Sequence, residues 1–202
     1  MPTYQKPPTV NDDARAQDIY REAARIISEK GFDATSMGDI AETVDLTKGG
    51  LYYYIKGKKA LLFAIMNFAL DLLEERVMAP ARAEQDANDR LASLLGGYVR
   101  LVLEEPASMG ILVSEDEKLD PSYRPRIMER KRAYTDYLAE VIGNVLDGQG
   151  SERKLDPALA AFGVLGLVHG VVHWNQQREG LGEDAIVDQV TRLALHGVHA
   201  QS

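Results

Sequence analysis

Apolar residues recur at helical spacing along most of the chain, and no stretch alternates as a strand does. From Asp13 to Lys30, Ile19, Tyr20, Ala23, Ile26 and Ile27 share one face, and Gly31 marks the stop. Ser36 and Asp39 stand three apart, the spacing of a capping box, ahead of a short helix with Ile40, Ala41 and Val44 inward. Thr47 reads as the N-cap of a third short helix reaching about Tyr54, with Leu51 and Ile55 on its buried side. A longer helix starts at Lys58 with Leu61, Ile65, Phe68 and Leu72 in a stripe. Beyond Pro80 the pattern predicts helices over 84–104 and 107–115, separated near Pro106. A long helix follows within 120–150, with Ile127, Tyr134, Leu138, Val141 and Val145 inward and Gly148 and Gly150 at its end. Asp156 and Pro157 open an apolar helix over 157–178, and a last helix from about Glu183 turns Ile186, Val190, Leu193 and Gly197 to one side. The fold class is all-α, with about nine helices and no repeat.

Composition narrows this picture. Without cysteine, disulfides, thiolate metal sites and a cysteine nucleophile are excluded, which fits a reducing cytoplasm. The longest apolar run, LAAFGVLGLVHGVVHW (159–174), is short for a membrane span and carries two histidines, so it reads as a buried helix and no membrane is expected. Residues 1–12 read as a flexible leader with no signal-peptide core. The formal charge is −8, which argues against a polyanionic partner until its distribution is considered. Residues 1–60 hold nine basic and nine acidic side chains, whereas 61–202 hold fourteen basic and twenty-two acidic. Within 46–60 there are four lysines and no acid. A local footprint of this kind outweighs the total charge.

The segment LTKGGLYYYIKGKK (46–59) therefore carries the candidate chemistry. Two short helices joined at Asp45 and Leu46, with a preceding helix to pack on, fit a helix-turn-helix whose second helix enters the major groove. Thr47 offers a hydroxyl and the helix start offers backbone N–H groups to phosphate, and Lys48 reaches a phosphate or a guanine edge. Gly49 and Gly50 weaken a helix but let backbone approach a ligand; equally, they mark a loop. With Leu51 and Ile55 inward, at least two of Tyr52, Tyr53 and Tyr54 face outward, where their hydroxyls suit phosphates; packing is the alternative for any one of them.

ATSMGDIAETVDLTKGGLYYYIKGKKALL resembles the DNA-binding signature of the TetR family of bacterial transcriptional repressors. The resemblance covers about residues 15–62 and departs from the family pattern at Gly50, Ile55 and Lys58–Ala60. It implies that Ser36 and Thr47 touch phosphates, that Lys48 and Gly49 open the recognition helix, that Tyr52, Tyr53 and Tyr54 divide between phosphate and base contacts, and that Lys58 clamps a phosphate. It also implies a DNA-binding domain over 13–60 and a ligand-binding and dimerisation domain over 61–202. The last two helices, about 157–178 and 183–199, would pair across a two-fold axis on a palindromic double-stranded operator. Gly163, Gly166 and Gly170 at i, i+3 and i+7 independently suit close helix approach.

The C-terminal part is more loosely similar to the branch of that family whose members sense acyl-CoA thioesters. That likeness implies a small hydrophobic or acyl-CoA-like effector, with Met109, Arg130, Tyr134 and Trp174 as pocket candidates; core packing is the alternative for Met109, Tyr134 and Trp174. Arg124, Arg126, Arg130, Lys131 and Arg132 could meet CoA phosphates or form a solvated face. His169 and His173 stand at i, i+4, a spacing that suits one metal or ordinary interface packing, and no third ligand is evident. The acidic stretch 114–118 reads as a solvated turn. No cofactor is called for, and no catalytic motif is present: G-x-S-x-G is missing, and six residues separate Gly50 from Gly57 where a Walker A loop needs four. A ligand-responsive repressor is the expectation, and a helical small-molecule carrier or small enzyme without a DNA role is the alternative.

Overall fold

The computed structural model describes residues 10–148, 155–174 and 182–199. Among them there is no strand, and the helices run α1 (Val10–Lys30), α2 (Met37–Thr43), α3 (Lys48–Tyr54), α4 (Lys58–Leu73), a π-helical turn (Glu74–Met78), α5 (Ala79–Ala83), α6 (Ala87–Glu104), α7 (Pro106–Ser114), a 3-10 turn (Asp116–Lys118), α8 (Arg124–Gly148), α9 (Pro157–Trp174) and α10 (Glu183–His199). The all-α expectation holds. The first helix begins at Val10, ahead of the expected Asp13, and residues 1–9 of the leader lie outside the described residues. The expected continuation of the 157 helix to 178 lies partly outside them as well.

Local signals account for the boundaries. Gly31 ends α1 with φ 87°, a conformation that favours glycine. Ser36 Oγ accepts from Asp39 N–H at 3.1 Å while Asp39 Oδ2 accepts from Ser36 N–H at 2.7 Å, the reciprocal capping box. Asp45 takes φ 53°, and Leu46 N–H donates to Ala41 O at 2.8 Å, which closes the turn between α2 and α3. Asp86 caps α6, so that helix starts at Ala87 and not at the expected 84.

Pro80 lies within a helical rod and does not interrupt it. The rod that starts as α4 continues through the π turn into α5, with Pro80 in the first turn of α5. Ala79 N–H donates to Glu74 O, five residues back, so the widened turn has already displaced the ladder where the proline's missing N–H falls. Gly97 of α6 packs against this turn, where a Cβ would stand 3.5 Å from Arg76 O and 3.6 Å from Val77 Cα.

The core runs from the N-terminal helices into the larger bundle without a break. Ile19, Ile27, Ile40 and Leu51 join Leu61, Ile65 and Met66 of α4, which in turn pack towards Leu91, Leu94, Leu95 and Leu101 of α6. On α10 the inward stripe is Ile186, Val190, Ala194 and Val198, whereas Leu193 is 62% exposed. The expected placement of Leu193 and Gly197 on the Ile186 face is thus corrected: both are exposed, and Ala194 and Val198 continue the buried stripe. None of the described helices is long and apolar enough to cross a membrane.

Candidate nucleic-acid interface

The α2–turn–α3 unit is held from behind by α1. Arg15 Nη2 donates to Val44 O at 2.6 Å, which satisfies a carbonyl at the end of α2 and fixes the turn that aims α3. Leu51 and Ile55 anchor α3 in the core, so its opposite side is displayed. Thr47 Oγ1 caps α3 by accepting from Gly50 N–H at 3.0 Å. Thr47, Lys48 and Gly49 are exposed at the start of the helix, and Tyr52 and Tyr53 are 43% and 75% exposed further along. Tyr54 is half-buried and meets Tyr53 edge-on, with ring centroids 5.4 Å apart. Ser36 is also exposed, at the N-terminus of α2.

The two glycines differ in surroundings. A Cβ on Gly49 would meet only Thr47 Oγ1, at 4.0 Å, so its open space points away from the protein. A Cβ on Gly50 would lie 3.2 Å from the same hydroxyl and 3.8 Å from Leu46, so this glycine makes room for the cap itself.

Lys58 is half-buried and is held by its own chain. Its Nζ donates to Thr35 O at 2.7 Å and Asp33 O at 3.2 Å, and it stands 4.5 Å from the centre of the Phe32 ring. The ammonium thereby ties the α1–α2 loop to the start of α4, next to the displayed helix. Gly57, at φ 113°, turns the chain between α3 and α4. Lys56 and Lys59 are the exposed amines here, in a cleft of about 390 Å³ that also includes Asp120 and Tyr123. Sequence reasoning does not single these two out, although their place in the acid-free run is the available signal.

The N-terminal unit is fastened to the rest of the chain by charge and aromatic contacts. Arg21 Nε donates to Glu105 Oε1 at 2.7 Å, and the Arg21 guanidinium stands 4.9 Å from the Phe68 ring centre. Lys118 pairs with Asp33 and holds that carboxyl below the usual range; Tyr123 stacks on Phe63 at 4.4 Å. The stretch 114–118 is thus not merely solvated, since Asp116 also accepts from Lys131 Nζ at 2.7 Å.

The pocket candidates separate. Arg130 and Tyr134 share the wall of a cavity of about 170 Å³ between α4 and α8. Met109 is fully buried on α7 and is not part of that wall. The side chains of Trp174 and His173 lie outside the described residues. His169 Nε2 is 2.8 Å from the Tyr98 hydroxyl, and among the described residues no three metal-ligating side chains gather.

Residues 19–65 match the sequence model of bacterial regulatory proteins of the tetR family, and residues 84–198 match that of the tetracyclin repressor-like C-terminal domain. The chain is similar to the Fatty acid metabolism regulator protein of Bacillus subtilis, with 20% identity over 178 residues covering 88% of this chain and 92% of that protein. It is similar to the HTH-type transcriptional activator FasR of Mycolicibacterium smegmatis, with 20% identity across 92% of this chain and 84% of that one. Among solved structures, AibR in complex with isovaleryl coenzyme A and operator DNA superimposes with a TM-score of 0.79 and 33% identity, covering 89% of this chain and 97% of that chain.

Proposed function

The chain belongs to the TetR family of bacterial transcriptional regulators, and from that premise we propose that it is a homodimeric repressor released from a palindromic operator by a small hydrophobic or acyl-CoA-like effector. Its place in that family makes it a DNA-binding regulator and not an enzyme. The observation that carries the DNA reading is the displayed side of α3: Thr47, Lys48, Gly49, Tyr52 and Tyr53 stand exposed in a segment without an acid, while Leu51 holds the helix from beneath. Such a face supplies phosphate donors, a base-reaching cation and backbone clearance together. Tyr54 adds a hydroxyl at the rim, Ser36 joins from α2, and Lys58 brings a cation to the phosphate beside the start of α4.

Dimerisation is supported by a second face. Leu159 and Phe162 on α9 and Leu193 on α10 are 68%, 64% and 62% exposed. Gly163, Gly166, Gly170 and Gly197 have open space where a Cβ would stand. An apolar face lined by glycines suits a second copy packed closely across it, which would set the two α3 helices about one DNA turn, ~34–36 Å, apart. The effector reading is supported by the ligand named for the AibR complex and by the cavity beside Arg130 and Tyr134. Met109 lies outside that wall, so its place in the reading is core packing, and Trp174 stays a candidate pocket residue. Effector and operator then weaken each other by the same factor. The setting for such a protein is the cytoplasm.

A salt titration of binding to palindromic and random duplexes tests the reading. Preference for a palindrome with a steep negative log–log slope supports it. Equal binding to all sequences, or none, overturns it. In the same assay Phe162→Glu should yield a monomer by sedimentation and lose the palindrome preference.

A further inference from the structure

The cavity between α4 and α8 holds two phenols that the chain leaves without acceptors. The hydroxyls of Tyr134 and Tyr137 are both buried, and neither has a hydrogen-bond partner among the described residues. Both residues line the cavity. Tyr98 shows the contrast: its hydroxyl is as deeply buried, edge-on to Tyr134 at 5.3 Å, yet it has His169 Nε2 at 2.8 Å. Buried donors without acceptors are unfavourable, and their persistence on a cavity wall points to an acceptor that arrives from outside. Burial raises the Tyr134 phenol well above its ordinary range, which keeps it a donor.

The charges around the cavity narrow that acceptor. Two arginines reach the wall, and each is already matched. Arg130 Nη2 donates to Asp71 Oδ1 at 2.7 Å and its Nη1 to Asn67 Oδ1 at 3.0 Å. Arg82 pairs with Glu74 and covers the Tyr137 ring at 5.1 Å. A carboxylate entering here would have to displace Asp71 or Glu74, or bring a charge with no partner. A neutral oxygen has neither difficulty, and the opposite wall of Leu70, Leu73 and Met78 accepts carbon.

We infer that this cavity binds an apolar small molecule through one neutral carbonyl oxygen, whose two lone pairs accept from the Tyr134 and Tyr137 hydroxyls. Tyr134 and Tyr137 then supply the donors, and the pairing of Arg130 and Arg82 with Asp71 and Glu74 leaves no cation to favour a carboxylate over a carbonyl. The inference rests on the reading of the C-terminal helices as an effector-binding unit and gives that unit a ligand chemistry. A thioester and a ketone carry the same acceptor.

Titration calorimetry on the full chain without DNA tests it, using branched five-carbon and straight eight-carbon probes in three forms: coenzyme A thioester, methyl ketone and free carboxylate. At least one thioester or ketone should bind at least tenfold more tightly than its matched carboxylate. Tyr134→Phe and Tyr137→Phe should each weaken it about tenfold, the loss of one hydrogen bond to a buried acceptor. Thioester preference assigns the carbonyl to an acyl carrier, and ketone preference to a free small molecule; either supports the inference. Equal binding of the carboxylate, unchanged binding by both variants, or binding of no thioester or ketone overturns it. A readout without ligand stands beside this: the thermal midpoints of the two variants should hold or rise. A fall of several degrees in both would mean that the hydroxyls are satisfied within the protein, and would also overturn the inference. Operator binding by the unaltered chain is measured separately, so failure of the repressor reading leaves the calorimetric outcome intact.

Discussion

Arg21 of α1 and Glu105 at the start of α7 meet at 2.7 Å, Nε to Oε1, and so join the helix-turn-helix unit to the larger bundle. The glutamate side chain is 10% exposed and the arginine 35%, and the Phe68 ring of α4 lies against the guanidinium. One ion pair thus spans α1, α4 and α7. Glu105→Met should destabilise the protein by about 1–2 kcal/mol, because it leaves the partly buried guanidinium with only the Asp18 carboxylate at 3.9 Å, whereas the paired replacement Arg21→Met with Glu105→Met should cost less than the sum of the two single changes. Urea unfolding of the four proteins measures this. Additive effects would show that the two side chains are merely neighbours.

Gly49 and Gly50 should respond differently to alanine. At position 49 the methyl group meets open space, so Gly49→Ala should stabilise the protein by roughly 0.5–1 kcal/mol through helix propensity. The same methyl stands where DNA would approach, so operator affinity should fall. At position 50 the methyl group would press on Thr47 Oγ1 from 3.2 Å, and crowding of the cap should cancel the propensity gain. Thermal unfolding and fluorescence anisotropy on one operator separate these outcomes. A Gly49→Ala protein that is more stable and binds DNA unchanged would remove position 49 from the interface.

Those two glycines also show what the sequence could convey. The capping signals at Ser36, Asp39 and Thr47 are legible because each acts within three residues, and the outward tyrosines follow from the spacing of Leu51 and Ile55. The contacts that no local pattern carries join distant positions. Lys58 reaches carbonyls 23 and 25 residues away, and Arg21 reaches Glu105 across 84. Tyr137 shares a cavity wall with Leu73 only because α4 and α8 lie side by side, which periodicity along one helix does not reveal. The outward turn of Leu193 is hidden for a related reason. Positions 193 and 194 are adjacent, so a period of 3.6 from Ile186 and Val190 fits either one inward, and Ala194 takes the place expected of the larger residue.

Lys48 and Lys58 should be separable by a stability measurement. Lys48 is exposed, so Lys48→Ala should leave the unfolding midpoint within error while reducing discrimination between operator variants. Lys58→Ala removes bonds to Thr35 O and Asp33 O, so it should lower stability by roughly 1–2 kcal/mol and weaken all duplexes alike, with the salt slope shallower by about 1. If Lys58→Ala lowers stability but leaves affinity and slope unchanged, the lysine is a loop tether and not a phosphate clamp.

The capping box of α2 carries a pH dependence with a definite sign. Ser36 N–H donates to the Asp39 carboxylate at 2.7 Å, and this bond, followed by the contribution of the Ser36 side chain, lowers the Asp39 pKa below its ordinary value of 3.8. A carboxylate whose folded pKa is depressed contributes stability that is fully present above the unfolded value and is lost as pH falls through the folded one. The cap should therefore be intact at neutral pH and should fail only below about pH 3.8, when protonation removes the acceptor. A carbon-detected NMR titration of the Asp39 carboxyl should give a midpoint below 3.8, and the amide signals of α2 should broaden over the same interval. Because the serine N–H outlasts loss of the hydroxyl, Ser36→Ala should move that midpoint only part of the way back. A midpoint at or above 3.8 in the unaltered protein would mean that the reciprocal bond is not made in solution.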